Sequence, residues 1–193
     1  MAARLKNYEI LLGVTGGIAV YKSASLCSML VKEGAAVTVA MTEHARHFVG
    51  PLTFGTLSGR KVYTDLFDPE QVYQTEHISL TERADLIVVA PATANIIAKM
   101  AAGICDDLLS TILCGAESDI LLAPAMNERM WRNPATCRNV QTLKDRGCHI
   151  IGPEAGRLAC GAQGIGRMSE PEEILEKIVN LVMQRKPKNL AKL

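Results

Sequence analysis

Aromatic residues are scarce in this chain, 4 % with a single tryptophan, and neither sign of charge is in excess, with 21 lysines and arginines against 20 acids. A balanced charge leaves no basic footprint for nucleic acid or an anionic membrane and no field that would draw an acidic partner. Long hydrophobic runs are missing as well: Ile10–Val14 and Leu86–Ala92 are far too short to span a bilayer. The six cysteines, Cys27, Cys105, Cys114, Cys137, Cys148 and Cys160, form no C-x-x-C pair and no clustered Cys/His spacing, which excludes a zinc-type metal site. Without a secretory signal or a disulfide framework, six reduced thiols in a cytoplasmic protein are expected.

What is plentiful is Ala, Gly, Val, Ile and Leu, the composition of parallel strands buried between helices. With 193 residues the chain has the size of one domain, expected over 1–184, followed by a basic tail or linker over 185–193. Periodicity predicts strands at Glu9–Val14, Ala36–Met41, Leu86–Ala90, Ile120–Ala123 and His149–Ile151. Helices are predicted at Ile18–Lys32, Glu43–Val49, Pro51–Ser58 stopped by Gly59, Asn95–Ala101, Asp106–Cys114 and Glu172–Met183, with a broken helical region around Arg138–Arg146. Alternating strands and helices require right-handed crossovers, so the expected fold is α/β: a doubly wound, Rossmann-like (flavodoxin-like) parallel sheet in three α/β/α layers. Its ligand belongs beyond the carboxyl ends of the strands, in the turns after Val14, Met41, Ala90, Ala123 and Ile151. Thr64–Glu76 and Gly152–Pro171 exceed ordinary connections and are expected to be functional loops.

Three of those turns carry small residues or a threonine at a helix start, where a phosphate, a close backbone contact or a helix cap is expected. Gly13-Val14-Thr15-Gly16-Gly17-Ile18 brings small residues and backbone N–H groups to a helix N-terminus. It is not G-x-G-x-x-G, and Met41-Thr42 stands where a dinucleotide fold wants an acidic ribose ligand, so NAD is disfavoured. Thr42 suits a phosphate donor and a helix cap equally. In Pro91-Ala92-Thr93-Ala94-Asn95 the obvious cap is Thr93. Three such turns converging on one crevice fit a mononucleotide with one phosphate and a flat ring, for which FMN is the natural candidate. A fourth turn, Pro124-Ala125-Met126-Asn127-Glu128-Arg129-Met130-Trp131, holds the only tryptophan. The Asn127 amide there can donate to a substrate carboxylate or close an Asx turn, and the turn is the simpler reading.

This octapeptide resembles the P-x-M-N-x-x-M-W signature of the homo-oligomeric flavin-containing cysteine decarboxylases at every defined position. His77, in Glu76-His77-Ile78-Ser79-Leu80, matches the family's histidine before the central strand, and Gly16-Gly17-Ile18 its flavin turn. The segment Ala159-Cys160-Gly161-Ala162-Gln163-Gly164-Ile165-Gly166-Arg167-Met168 is similar to the substrate-covering loop of the phosphopantothenoylcysteine decarboxylase branch, with Ala162 where an acidic residue is common. The resemblance implies FMN held by Gly16, Gly17, Ile18, Thr42, Phe48, Thr93, Ala94, Asn95 and Ala125. It implies substrate contacts from Asn127, Met130, Ala159 and Cys160, with Asn127 on the carboxylate. The same resemblance makes His77 the group acting in the oxidative half and Cys160 the proton donor to the enethiol, in a decarboxylation of 4′-phosphopantothenoylcysteine to 4′-phosphopantetheine and CO2.

The chemistry is coherent: a β-thiol carboxylate has no electron sink for losing CO2 until its thiol carbon is oxidised. Glycines at 161, 164 and 166 suit a mobile lid around Cys160, whereas Cys27 and Cys114 fall on apolar helix faces. The resemblance further implies a homo-oligomer, a trimer or a dodecamer of trimers with flavin between subunits, and a phosphopantothenate-cysteine ligase fused or separate. Two other activities stay open within it: oxidative decarboxylation of a peptide C-terminal cysteine, and a non-catalytic flavoprotein acting as a regulatory subunit.

Overall fold

The computed structural model describes residues 3–66, 76–159 and 161–188. The elements run β1 (Glu9–Val14), α1 (Val20–Lys32), β2 (Ala36–Met41), α2 (Glu43–Arg46), α3 (Pro51–Ser58), β3 (Val62–Tyr63), α4 (Glu76–Arg83), β4 (Leu86–Ala92) and α5 (Ala94–Ala102). They continue with α6 (Leu108–Cys114), β5 (Asp119–Pro124), α7 (Glu128–Trp131), α8 (Pro134–Asp145), β6 (His149–Ile150), β7 (Glu154–Arg157), β8 (Gln163–Arg167) and α9 (Pro171–Val182).

The first six strands form one parallel sheet in the order β3-β2-β1-β4-β5-β6. This is the six-strand doubly wound order, and the expected Rossmann-like sheet is present. Because β3 has only two residues at the edge, the remaining five strands read as the 2-1-3-4-5 order of flavodoxin-like sheets. The order reverses between β1 and β4, so the crevice for a ligand lies beyond Val14 and Ala92.

The central strands are buried on both faces because they are predominantly apolar, and the alternation of their side chains divides them between two cores. Ile10, Leu12 and Val14 of β1 pack with Leu86, Val88 and Ala90 of β4 on the face covered by α1 and α9. Leu11 of β1 and Ile87 and Val89 of β4 turn to the other face, with Leu109 and Ile112 of α6. Gly13 is needed at that second face, where a Cβ would come 2.7 Å from Leu109 Cδ1.

Several expected boundaries move. The first helix begins at Val20, not Ile18, because Gly17 to Ala19 form a turn. The second is one turn, Glu43–Arg46, and the region around 138–146 is a single helix from Pro134, whose fixed φ suits the first helical position. Within 152–171, expected to be irregular, β7 and β8 form an antiparallel hairpin. The tail from Arg185 to Lys188, expected to be solvated, is tied to the domain: Tyr8 donates its hydroxyl to Arg185 O at 2.8 Å, and Lys188 N donates to Asp85 Oδ1 at 2.6 Å. No helix among the described residues is long and apolar enough to cross a membrane.

Candidate functional site

The crevice is stitched together by one buried hydroxyl that the sequence did not single out. Thr15 Oγ1 donates to Pro91 O at 2.7 Å, accepts from Thr93 N at 3.1 Å and lies 3.2 Å from Thr93 Oγ1. The turn after β1 is thereby fixed to the turn after β4. Ser23 of α1 adds a second link, donating to Ala90 O at 2.6 Å. Both side chains are fully enclosed, so each bond is made away from competing water.

The neighbouring turns join the same cluster. Thr42 N donates to Val14 O at 3.0 Å, and a Cβ on Gly16 would come 2.5 Å from His44 Cβ, so only glycine lets the two turns approach. Gly17 meets no such wall: a Cβ there would lie 4.0 Å from Thr93 Cγ2, an ordinary contact. Ala125 N donates to Ala92 O at 3.1 Å, which brings the turn after β5 beside Thr93. Ile18, Asn95 and Met130 are exposed around this cluster and Ala94 is half-buried. Phe48 follows α2, half in solvent.

Two threonines with similar sequence settings diverge. Thr93 caps α5, accepting from Ile96 N at 3.4 Å, as expected of it. Thr42 occupies the N-cap position of α2 but makes no side-chain cap bond, and among the buried side-chain polar atoms of the described residues its Oγ1 alone has no hydrogen-bond partner. A buried hydroxyl without a partner costs free energy, which a ligand oxygen at that point would recover. Of the two expected roles of Thr42, the side-chain cap is not made. An orphaned donor, a glycine turn at the start of α1 and the α5 N-terminus around one crevice fit a phosphate-bearing ligand.

Asn127 is the N-cap of α7, its Oδ1 accepting from Arg129 N at 2.8 Å, so the Asx turn is real. The hairpin docks beside it, with Met126 N donating to Gly166 O at 2.9 Å. A Cβ on Gly166 would collide with Met126 O, and one on Gly164 with the Glu128 carboxylate. These two glycines serve close docking, not the free motion expected of a lid. Gly161, at φ +85°, supplies the left-handed residue of the hairpin's turn, which Leu158 N closes by donating to Ala162 O at 2.8 Å. Ala159 lies exposed in that turn, and Cys160 falls outside the described residues.

His77 is the second residue of α4, and its side chain also lies outside the description. α4 ends at Arg83, whose guanidinium lies 3.4 Å from Glu9 at the start of β1. Of the cysteines set aside, Cys27 is buried, and burial pushes its thiol up to about 11. Cys114, expected on an apolar helix face, is exposed.

A family model described as Flavoprotein matches residues 2–183. The chain belongs to the Flavoprotein family. This flavoprotein is 51 % identical over 172 residues to the coenzyme A biosynthesis bifunctional protein CoaBC of Bacillus subtilis, covering 89 % of the chain and 42 % of that relative. It spans less than half the length of the curated relatives it matches. Among solved structures it superposes with a TM-score of 0.84 on a cysteine-to-serine mutant of PPC decarboxylase complexed with pantothenoylaminoethenethiol, at 33 % identity over 92 % of this chain and 99 % of that one. The FMN-binding protein AtHal3 gives 0.83 at 32 % identity, over 94 % and 100 %.

Proposed function

We propose that this flavoprotein binds FMN in the crevice between β1 and β4 and decarboxylates 4′-phosphopantothenoylcysteine to 4′-phosphopantetheine and CO2, a step of coenzyme A biosynthesis. The observation that carries the reading is the docking of the β7–β8 hairpin beside Asn127, where Met126 N donates to Gly166 O, together with a buried Thr42 hydroxyl that has no protein partner. When bound, FMN supplies a two-electron sink that lets the thiol carbon be oxidised before CO2 leaves and returns the electrons afterwards.

The chain's own residues divide the remaining work. Thr42 Oγ1 and the N–H groups of the Gly16–Ile18 turn hold the phosphate, with Thr93, Ala94, Asn95, Ala125 and Phe48 around the rest of the cofactor. Asn127 binds the substrate carboxylate: its Oδ1 already faces Arg129 N, so the amide's donor edge is the one with the right polarity. His77, at the start of α4, accepts a proton in the oxidative half. Cys160 returns one to the enethiol carbon, and Met130 and Ala159 flank the substrate.

The exposed apolar group Ile18, Tyr21, Phe48 and Leu52 beside the glycine turn supports a homo-oligomer, a trimer or a dodecamer of trimers, with a neighbouring copy covering the site. A phosphopantothenate-cysteine ligase, fused or separate, is the partner that would supply the substrate, and the cytoplasm is the compartment.

The deciding experiment is to purify the protein, identify the released cofactor by mass, and follow CO2 and thiol product from phosphopantothenoylcysteine with wild type and Cys160→Ser. FMN and full conversion by wild type, with enethiol accumulating in the mutant, is the expected result. A bound dinucleotide overturns the cofactor, an enethiol end product in wild type moves the chain to peptidyl-cysteine-type oxidation, and no CO2 at all makes it a non-catalytic flavoprotein.

A further inference from the structure

Lysine is almost never fully buried unless paired, yet Lys22 on α1 is only 7 % exposed. Its ammonium is satisfied on one segment: Nζ donates to Met168 O at 3.0 Å and to Glu170 Oε1 at 2.9 Å. That segment is the stem by which the β7–β8 hairpin returns to α9. Met168 is buried in the core shared with α1, and Ser169 is fully enclosed. Glu170 caps α9 in a box closed by Glu173 Oε2 on Glu170 N at 2.9 Å, and Arg167 stands 3.8 Å from its carboxylate.

The Glu170 side chain is 44 % exposed, so its pairing with the buried Lys22 is screened by solvent and adds little stability. What the pair provides is a fixed position. Lys22 lies on the first turn of the helix that follows Gly16 and Gly17, and both of its acceptors lie within four residues of Gly166, which Met126 holds from the other side. The hairpin is therefore held at two points, one on the helix behind the proposed phosphate turn and one beside Asn127.

We infer that Lys22 is a positioning residue: through Met168 O and Glu170 it fixes the hairpin stem to α1, and so sets how the hairpin stands over the substrate. The inference rests on the reading of the hairpin as the substrate's cover. Loss of the pin lets the hairpin leave its productive position, for which misplacements on the ångström scale cost about tenfold to a hundredfold. Lys22 touches neither substrate nor cofactor in this scheme, but the hairpin it pins also carries Cys160, the proposed proton donor, so the penalty falls on kcat/KM.

The test uses the FMN-loaded protein as Lys22→Met, Lys22→Arg and Glu170→Gln. Trypsin cuts after Arg157 and Arg167, both exposed on the hairpin, and Arg138 on α8 is the internal control. Expected for Lys22→Met are cleavage at the hairpin sites about tenfold faster than wild type with Arg138 unchanged, and kcat/KM for phosphopantothenoylcysteine lowered about tenfold. Lys22→Arg should restore both. Hairpin cleavage and kcat/KM equal to wild type in a folded Lys22→Met protein overturn the inference, as does equal acceleration at every site. Should Lys22→Met fail to fold, Glu170→Gln is read by the same two measurements. If wild type itself does not turn over the substrate, the decarboxylase reading falls, and the cleavage pattern alone decides the role of Lys22.

Discussion

The two edges of the same sheet treat polar groups in opposite ways. At the amino edge every group described is answered by the chain itself. Glu9 is gripped by Arg60 at 2.7 and 3.1 Å and reached by Arg83 at 3.4 Å. Asp85 takes Glu9 N and Lys188 N, Ser118 accepts from Lys188 Nζ at 2.8 Å, and Arg185 pairs with Asp119 at 3.1 Å. At the carboxyl edge the turns are glycine, alanine and threonine, and the buried Thr42 hydroxyl is left without a partner. A closed edge holds the fold; an edge with an unanswered buried donor has been kept for something else.

The largest effect that would break this comparison is expected at the closed edge. Arg60→Met leaves the nearly buried Glu9 carboxylate with only the longer Arg83 contact, and should cost about 3 kcal/mol of unfolding free energy while cofactor content stays unchanged. Urea denaturation measures it, and a loss under about 0.5 kcal/mol would reduce the pair to a surface contact.

At the open edge Thr42→Val should do the reverse. Removing a hydroxyl that has no protein partner leaves the apoprotein as stable as before or slightly more so, while FMN binding weakens about tenfold. Fluorescence titration of apoprotein with FMN decides it; an unchanged Kd would return Thr42 to the structural residues.

The smallest effect concerns Glu170, whose hydrogen bond from Lys22 holds its carboxyl below the usual carboxylate range, with Arg167 adding to the pull. A lowered folded pKa gives stability that is present above the ordinary glutamate value and lost as pH falls through the folded one. Wild type should therefore lose a small increment below about pH 4.3 that Glu170→Gln never has. Parallel thermal melts at pH 7 and pH 4 should converge for the two proteins; a constant gap between them would show that the pair does not titrate in that window.

Legibility in the sequence followed periodicity. β1, β2 and α3 have their predicted bounds because apolar runs and a terminal Gly59 mark them directly. The β7–β8 hairpin was hidden because its strands, Glu-Ala-Gly-Arg and Gln-Gly-Ile-Gly-Arg, are poor in the β-branched and aromatic residues by which strands are read. Its glycines suggested motion, since sequence does not say what lies against a missing Cβ. α4 and the two residues of β3 carry too few apolar positions for a period. In the site, Gly16, Thr42, Thr93 and Asn127 stood out at strand ends, whereas Thr15 did not. A threonine between glycines looks like turn filler until its hydroxyl is found bridging two strands 76 residues apart in sequence. Lys22 was equally silent, since a lysine at the third position of a helix is ordinarily solvated.

The glycine-to-backbone docking of the hairpin has a consequence for how a ligand would leave. Gly166 O and Met126 N are bonded one residue from Asn127, so the cover and the grip on the carboxylate share a backbone. If Asn127 holds the substrate as proposed, the door cannot open without loosening the hand. Dissociation would then be a single concerted event, read as one exponential phase in a release experiment, and tighter docking of the hairpin would lengthen residence time without adding any contact to the ligand.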